Sequence, residues 1–137
     1  MNSTERYAMV VARVLVATMF ILNGLNIIGQ TLATHELAAY GAPASFVPGL
    51  IIAGRTLQIV AGTCLIPGVY PRVSALGLLL FLIPATIMAH SFWKAIDTPL
   101  YQVQLINFSK NLSMAGGLIF IIATRKQPTL LPRSSRS

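Results

Sequence analysis

Four apolar stretches, each long enough to cross a lipid bilayer, occupy most of this 137-residue chain. An α-helix rises about 1.5 Å per residue, so about 20 apolar residues span a hydrocarbon core roughly 30 Å thick. The pattern therefore predicts an all-α integral membrane protein, built as a bundle of four transmembrane helices. We expect these helices at about Tyr7–Ile28, Val47–Pro67, Val73–Phe92 and Leu105–Thr124.

The charged residues indicate the environment and the orientation of the chain. They make up only 9% of it, against about 25% in soluble domains, which argues against a water-soluble globule. The net charge of +7 does not indicate a nucleic-acid partner, because most basic residues lie at or beyond the ends of the apolar spans, where we expect them to contact water or head groups. Basic residues collect in short cytoplasmic loops, so both termini and the 68–72 turn are predicted to be cytoplasmic. The residues behind this prediction are Arg6, Arg13, Arg72, Arg125, Lys126, Arg133 and Arg136.

The remaining patterns predict a single membrane domain. The basic start of the chain leads into an apolar run without a clear cleavage site, so we interpret it as a retained first helix. Residues 1–126 then form one transmembrane domain, and the Pro-, Ser- and Arg-rich residues 127–137 form a disordered cytoplasmic tail. In the first loop, a short interfacial helix is expected to begin near Thr34 and to end before Gly41.

Polar side chains interrupt the apolar spans at a shared depth. With the first and third loops outside, all four helices place polar groups in the outer half of the bilayer, whereas the cytoplasmic half is nearly uniformly apolar. Polar residues inside membrane spans mark binding sites or contacts between helices. These residues are Asn23, Asn26, Arg55, Gln58, His90, Asn107, Lys110 and Asn111.

Arg55 is the most costly of these side chains to bury, and two interpretations of it are open. A charge near the bilayer centre costs about 2.5–3.5 kcal/mol on insertion scales. In the first interpretation, Arg55, Lys110 and His90 line an outward-opening cavity that holds an anion or the oxygen of a quinone-like head group. In the second, Arg55 extends outward and pairs with Glu36 or Asp97, and the amides only join one helix to another.

His90 and Trp93 lie three residues apart and are expected to share a helix face at the membrane interface. In a functional role, His90 would exchange protons with a redox ligand. In a structural role, Trp93 would anchor the helix among the head groups, with His90 hydrogen-bonded beside it. No metal site is expected, because His35 and His90 are the only histidines and neither has a second ligand three or four residues away. The single cysteine excludes an internal disulfide.

Several short motifs resemble those of the DoxX family, and the resemblance covers about Val11 to Ala123. It is closest to the small bacterial inner-membrane branch. The resemblance implies a four-helix, multi-pass protein of the bacterial cytoplasmic membrane, and some members of the family are associated with quinone- or thiosulfate-linked oxidoreductase systems. The motifs are Ala12-Arg13-Val14-Leu15 with Phe20 and Asn23-Gly24-Leu25, Ala61-Gly62 with Pro67–Arg72, and Ala89–Trp93 followed by Gln104–Leu112 with Gly116-Gly117.

The chain also departs from the family pattern at two positions. Family members often have a lysine near the end of the first helix, where this chain has Ile27. They often have a glutamate in the second helix, where this chain has Gln58. The loss of both resembles the loss of an intramembrane ion pair, with Arg55 as a new charge.

These features predict a small membrane component of an oxidoreductase system that acts with quinone or with a redox partner through an outward-facing polar cavity. Lys110 and Arg55 would supply positive potential, and His90 would exchange protons. Asn107 and Asn111 would hydrogen-bond the bound head group. The alternative is a non-catalytic structural subunit or a bundle that handles lipids or solutes, and either form is compatible with a homo-oligomer in the bilayer.

Overall fold

The computed structural model describes residues 2–28, 32–125 and 127–130, except for the side chains of residues 32, 33 and 36. All the regular structure within these residues is helical. Four of the helices are long and apolar enough to cross a membrane, which confirms the predicted fold class. The helices are α1 (Ser3–Gly24), α2 (Leu32–Ala39), α3 (Val47–Leu65), α4 (Pro71–Ala89) and α5 (Tyr101–Ala123), with one 3₁₀ turn at Phe92–Lys94.

Helix α1 has well-defined caps at both ends. At its start, Asn2 and Glu5 exchange hydrogen bonds between side chain and backbone in a capping box. The helix ends at Gly24, four residues before the predicted Ile28. There Asn26 adopts a left-handed conformation with φ 61°, and the Ile27 N–H donates to the Leu22 carbonyl at 3.0 Å. This is a Schellman motif with asparagine in the position that glycine usually occupies, so the apolar run continues beyond the point where the helix stops.

The other helix boundaries follow proline and glycine. Pro48 and Pro71 lie in the first turns of α3 and α4, as the fixed φ of proline favours. Gly68, with φ 80°, forms the tight turn between these two helices. Helix α2 confirms the short helix expected in the first loop, although it begins at Leu32 rather than near Thr34. Pro84 lies inside α4 without ending it.

The long helices pack in chain order, with α1 against α3, α3 against α4 and α4 against α5. Helices α1 and α5 meet much less closely. A single apolar core runs through the bundle, and large apolar side chains are exposed on the outside of all four long helices, as expected for a protein surrounded by lipid. The fully buried apolar core residues are Ala17, Leu65, Ala75, Leu78 and Leu118, with Phe20 and Ile121 nearly so.

The bundle has two ends that differ in composition. The terminal end, as we call it, holds the start of α1, the 66–70 turn and residues 124, 125 and 127–130. Hydrogen bonds from Arg72 to the Thr124 carbonyl and from the Leu130 N–H to the Pro67 carbonyl join these parts. The opposite end, which we call the loop end, holds residues 25–28, 32–46 and 90–100. Of the predicted tail, residues 127–130 belong to the terminal end and residues 131–137 lie outside the described residues.

Arg13 was expected to contact water or head groups at the end of the first span, and this prediction is wrong. Its side chain has no exposed surface. Arg13 lies on the same face of α1 as Met9, Ala17 and Phe20, at the four- and seven-residue spacing of a helix stripe that faces the core. The basic residue therefore belongs to the buried face of α1, and its position in the sequence near a span end did not show this.

Candidate functional site

A hydrogen-bonded amide pair joins α1 to α3 at the loop-end half of the bundle. The Asn23 Nδ2 donates to the Gln58 Oε1 at 2.8 Å. The Gln58 Nε2 in turn donates to the Gly54 carbonyl, one turn earlier in α3, at 3.2 Å. Gln58 is only 3% exposed, so these bonds satisfy a polar side chain that would otherwise be costly to bury.

Arg55 is held by a neighbouring amide of the α1 terminus. Its Nη2 donates to the Asn26 Oδ1 at 2.6 Å, a charge-assisted hydrogen bond. Of the two carboxylates considered as partners, Asp97 forms no ion pair with Arg55 within the described residues, and the side chain of Glu36 lies outside them. The left-handed turn at Asn26 that ends α1 also presents its amide to α3.

Two cavities lie back to back on either side of the amide pair. The first, of about 320 Å³, opens between α2, α3 and α4. The second, of about 310 Å³, lies between α1, α4 and α5, where the helices α1 and α5 are separated. Both fall at the lower end of the range typical of ligand sites, roughly 300–1,000 Å³. The residues common to both walls are Asn23, Gln58, Phe81 and Ala85.

The second cavity collects most of the polar residues that the sequence singled out. Its remaining walls are apolar, from residues such as Met19, Phe20, Leu82 and Met114. Among the described residues, Lys110 is the one lysine or arginine that lines the second cavity, and no Asp or Glu lines either cavity. The predicted residues that line it are Asn23, Gln58, His90, Asn107, Lys110 and Asn111.

Helix α5 positions the polar wall of the second cavity. The Lys110 Nζ donates to the Asn107 Oδ1 at 3.2 Å, one turn earlier in the helix. The Asn111 Nδ2 donates to the Thr86 Oγ1 of α4 at 3.0 Å, and the Thr86 hydroxyl donates to the Leu82 carbonyl. Lys110 is exposed on the bundle surface, so its ammonium group lies at the mouth of the cavity rather than at its base.

His90 closes the same cavity at the loop end. Its Nδ1 lies 2.9 Å from the Gln104 Oε1. With that amide oxygen as the acceptor, Nδ1 carries the proton and Nε2 is left as an acceptor in the neutral imidazole. Gln104 was not singled out from the sequence, although it precedes Asn107 by three residues and Asn111 by seven and therefore continues their polar stripe.

Trp93 and two other predicted residues lie away from this cavity. Helix α4 ends at Ala89, and Trp93 lies in the following 3₁₀ turn, so the expected shared helix face with His90 is wrong. Trp93 instead packs edge-on against Phe92 and Phe108, with ring centroids 5.2 and 5.9 Å apart. Arg55 lines the first cavity, and Asn26 accepts a hydrogen bond from Arg55 just beyond the end of α1.

Metal ligands do not cluster in the part of the chain that the structure describes. Within it, no three His, Cys, Asp or Glu side chains lie close enough together to hold an ion. The second cavity instead combines amide groups, an imidazole and an ammonium group with apolar walls. Such a set suits an uncharged or anionic head group with oxygen acceptors, attached to an apolar body.

The fold and its polar cavity define the class of this protein as a small four-helix integral membrane protein. The DoxX family model matches residues 8–91, and the chain belongs to the DoxX family. It is similar to the inner membrane protein YphA of Escherichia coli K12, with 23% identity over 117 residues that cover 85% of this chain and 81% of YphA. No solved structure matches the chain. It is a multi-pass protein of the bacterial inner membrane.

Proposed function

We propose that this protein binds the head group of a membrane quinone in the second cavity, as the membrane component of an oxidoreductase system. One observation carries the proposal: Asn107, Lys110 and Asn111 lie on one wall of a cavity whose other walls are largely apolar. A quinone has the same division, with two carbonyl oxygens on a ring and an apolar tail.

The position of the cavity suits a ligand that enters from the bilayer. Because the cavity lies between α1 and α5 and these helices meet only loosely, a tail would extend between them into the lipid while the head group lies inside. Lys110 at the mouth would donate a charge-assisted hydrogen bond to one carbonyl oxygen. Arg55, on the far side of the amide pair, would add positive potential without contact.

His90 would exchange protons with the bound quinone. Reduction of a quinone to a quinol adds two electrons and two protons, and a partner redox protein would supply the electrons. With Gln104 holding Nδ1, the Nε2 atom of His90 would accept or release a proton at the cavity wall. Gln104 is thus a positioning residue for the imidazole.

A structural subunit is the second candidate, and the surface of α5 favours it. This helix has the smallest buried share of the four spans. Its outward face carries Ser109, Ser113 and Gly116 at four- and three-residue spacing, the small residues that let two membrane helices approach closely. A partner helix on this face would cover Lys110 as well, and a second copy of the chain or another subunit would supply it.

The test is binding of a short-chain benzoquinone to the full chain in mild detergent, by calorimetric titration. We expect saturable binding that weakens about tenfold or more in Lys110→Met, because a hydrogen bond to a charged group contributes about 1.5–3 kcal/mol. Lys94→Met is the matched control. Lys94 is an exposed lysine at the same end, bonded to the Tyr40 hydroxyl and absent from the cavity wall.

Two results would contradict the proposal. One is that the wild-type protein does not bind the quinone. The other is that Lys110→Met and Lys94→Met bind it equally well while both remain folded. A defined complex with other subunits, together with either result, would favour the structural role.

A further inference from the structure

The terminal end of the bundle contains a buried guanidinium group without a partner. Arg13 has no exposed surface, and its Nε, Nη1 and Nη2 atoms make no hydrogen bond within the part of the chain that the structure describes. A guanidinium group has five N–H donors, and a buried charge is strongly unfavourable unless it is paired and hydrogen-bonded. The position of Arg13 therefore calls for a compensating group.

Two backbone segments approach this guanidinium group. A side chain at Gly68 would collide with the Arg13 Nη1 and would lie 2.5 Å from the Pro128 carbonyl oxygen. Glycine at this position, in a left-handed conformation with φ 80°, is what lets the α3–α4 turn approach Arg13. The guanidinium group, the turn at Gly68 and the Pro128 carbonyl thus meet at one place.

The described residues supply no carboxylate partner for Arg13. Arg6, Arg72 and Arg125 lie at the same end and are all exposed. The one described acid there, Glu5, accepts a hydrogen bond from the Asn2 backbone N–H as part of the α1 cap. The terminal end therefore has a positive potential, which favours an anion that comes from elsewhere.

Residues 127–130 are hydrogen-bonded to the α3–α4 turn and to the end of α5, next to the guanidinium group. The Leu130 N–H donates to the Pro67 carbonyl at 2.8 Å, and the Gln127 Nε2 donates to the Ile121 carbonyl at 2.7 Å. The Gln127 Oε1 is buried and, within the described residues, also lacks a hydrogen-bond partner. A second unsatisfied polar atom thus lies in the segment next to Arg13, and it would accept a hydrogen bond from a protonated oxygen.

We propose that Arg13 forms the base of a phosphate-binding site at the terminal end, closed by residues 127–130. The planar guanidinium group matches two phosphate oxygens, and a hydrogen-bearing phosphate would also donate to the Gln127 Oε1. The phosphate belongs either to an anionic lipid head group or to a free phosphate ion. This site is separate from the quinone cavity, which lies in the other half of the bundle, and does not depend on it.

The test compares two sources of phosphate with the full chain in mild detergent. In the first arm, inorganic phosphate is titrated against chloride at matched ionic strength, and the unfolding midpoint is followed by the fluorescence of Trp93, the single tryptophan. In the second arm, phosphatidylglycerol or phosphatidylcholine is added, and native mass spectrometry counts the lipids retained. Each arm is run on the wild type, Arg13→Met, Arg13→Lys and the exposed control Arg125→Gln.

We expect one arm to show binding that persists in Arg125→Gln and weakens at least about thirtyfold in Arg13→Met, the effect of removing one partner of a buried charge pair. A midpoint that rises with phosphate identifies the free ion, and selective retention of phosphatidylglycerol identifies the lipid. Arg13→Lys keeps the charge without the planar fork, so it should fold and bind at an intermediate strength even if Arg13→Met does not fold. Equal responses of Arg13→Lys and the wild type in both arms, or no binding by the wild type, would overturn the proposal.

Discussion

The Asn23 side chain donates to the Gln58 Oε1 at 2.8 Å, and this pair forms part of the wall shared by the two cavities. An amide at this position of α3 needs no counter-charge, whereas a buried glutamate would need a cation. Asn23, on the last turn of α1, satisfies Gln58 by a neutral bond. The wall between the two cavities is thus held by a bond that buries no charge.

This pair should contribute a measurable coupling energy between α1 and α3. We expect a double-mutant cycle with Asn23→Leu and Gln58→Leu to give a coupling of about 0.6–1.7 kcal/mol in the free energy of unfolding, the range measured for such bonds in membrane proteins. Asn23→Leu alone should destabilise more than the double mutant, because it leaves the buried Gln58 Oε1 without a donor. Unfolding in mixed micelles measures both quantities, and a coupling near zero would contradict the assignment.

The back-to-back arrangement predicts that Arg55 and Lys110 act on different ligands. Arg55 lines the first cavity and bonds to Asn26, whereas Lys110 lines the second. Quinone binding in the second cavity should therefore fall in Lys110→Met and change only slightly in Arg55→Leu. The same calorimetric titration measures both variants. An equal loss of quinone affinity in Lys110→Met and Arg55→Leu would mean that the two cavities act as one site.

Close packing of α1 on α3 predicts an unequal effect of two glycine substitutions. An added Cβ at Gly24 would lie 2.7 Å from the Ile59 Cγ1 and 3.0 Å from the Arg55 carbonyl oxygen. Because the backbone cannot move aside cheaply, Gly24→Ala should destabilise the bundle by about 1–3 kcal/mol. Gly49→Ala is the control in α3, since nothing lies within 4 Å of its Cβ. Equal thermal unfolding midpoints of the two variants would show that the helices are less closely packed.

Hydrophobicity alone predicted the four membrane helices, because each span must satisfy its backbone internally and present apolar side chains to lipid. Depth arguments also predicted that polar groups of α1, α3, α4 and α5 would meet in one half of the bundle. They could not assign Arg55 and Lys110 to different cavities. That assignment depends on which face of each helix points inward. The rotation of each helix about its axis is set by packing against the neighbouring helices.

The errors have a common physical cause. Distance from the end of an apolar span was used as a measure of exposure, and Arg13 shows that a residue near a span end can lie on the buried stripe of its helix. Likewise, the apolar run of α1 continues past Gly24, but Asn26 ends the helix through backbone conformation. Similarly, Trp93 does not share a helix face with His90, because α4 ends at Ala89 and Trp93 lies in the 3₁₀ turn that follows.

Trp93 should report the position of the loop end in the bilayer. It lies in the 3₁₀ turn after α4 and is 42% exposed, as expected for an aromatic side chain among the head groups. Lipids brominated near the head group should therefore quench its fluorescence more strongly than lipids brominated near the end of the acyl chain. The single tryptophan makes the signal unambiguous. Stronger quenching by the lipids brominated near the end of the acyl chain would mean that the loop end lies deeper in the bilayer than the head groups.

The distribution of basic residues predicts which side of the membrane the terminal end faces. The hydrogen bond from Arg6 to the Thr129 carbonyl places both ends of the described chain at the same end of the bundle. Arg72 and Arg125 lie there too, and such residues favour the cytoplasm. Fusions after residue 130 should therefore fluoresce with a reporter that folds only in the cytoplasm and should lack activity with a phosphatase that needs the periplasm. The same pair fused within the 95–99 loop should give the opposite pattern. Phosphatase activity at the terminal end would reverse the predicted orientation while leaving the fold intact, and it would move Arg13 and its proposed phosphate site to the outer leaflet.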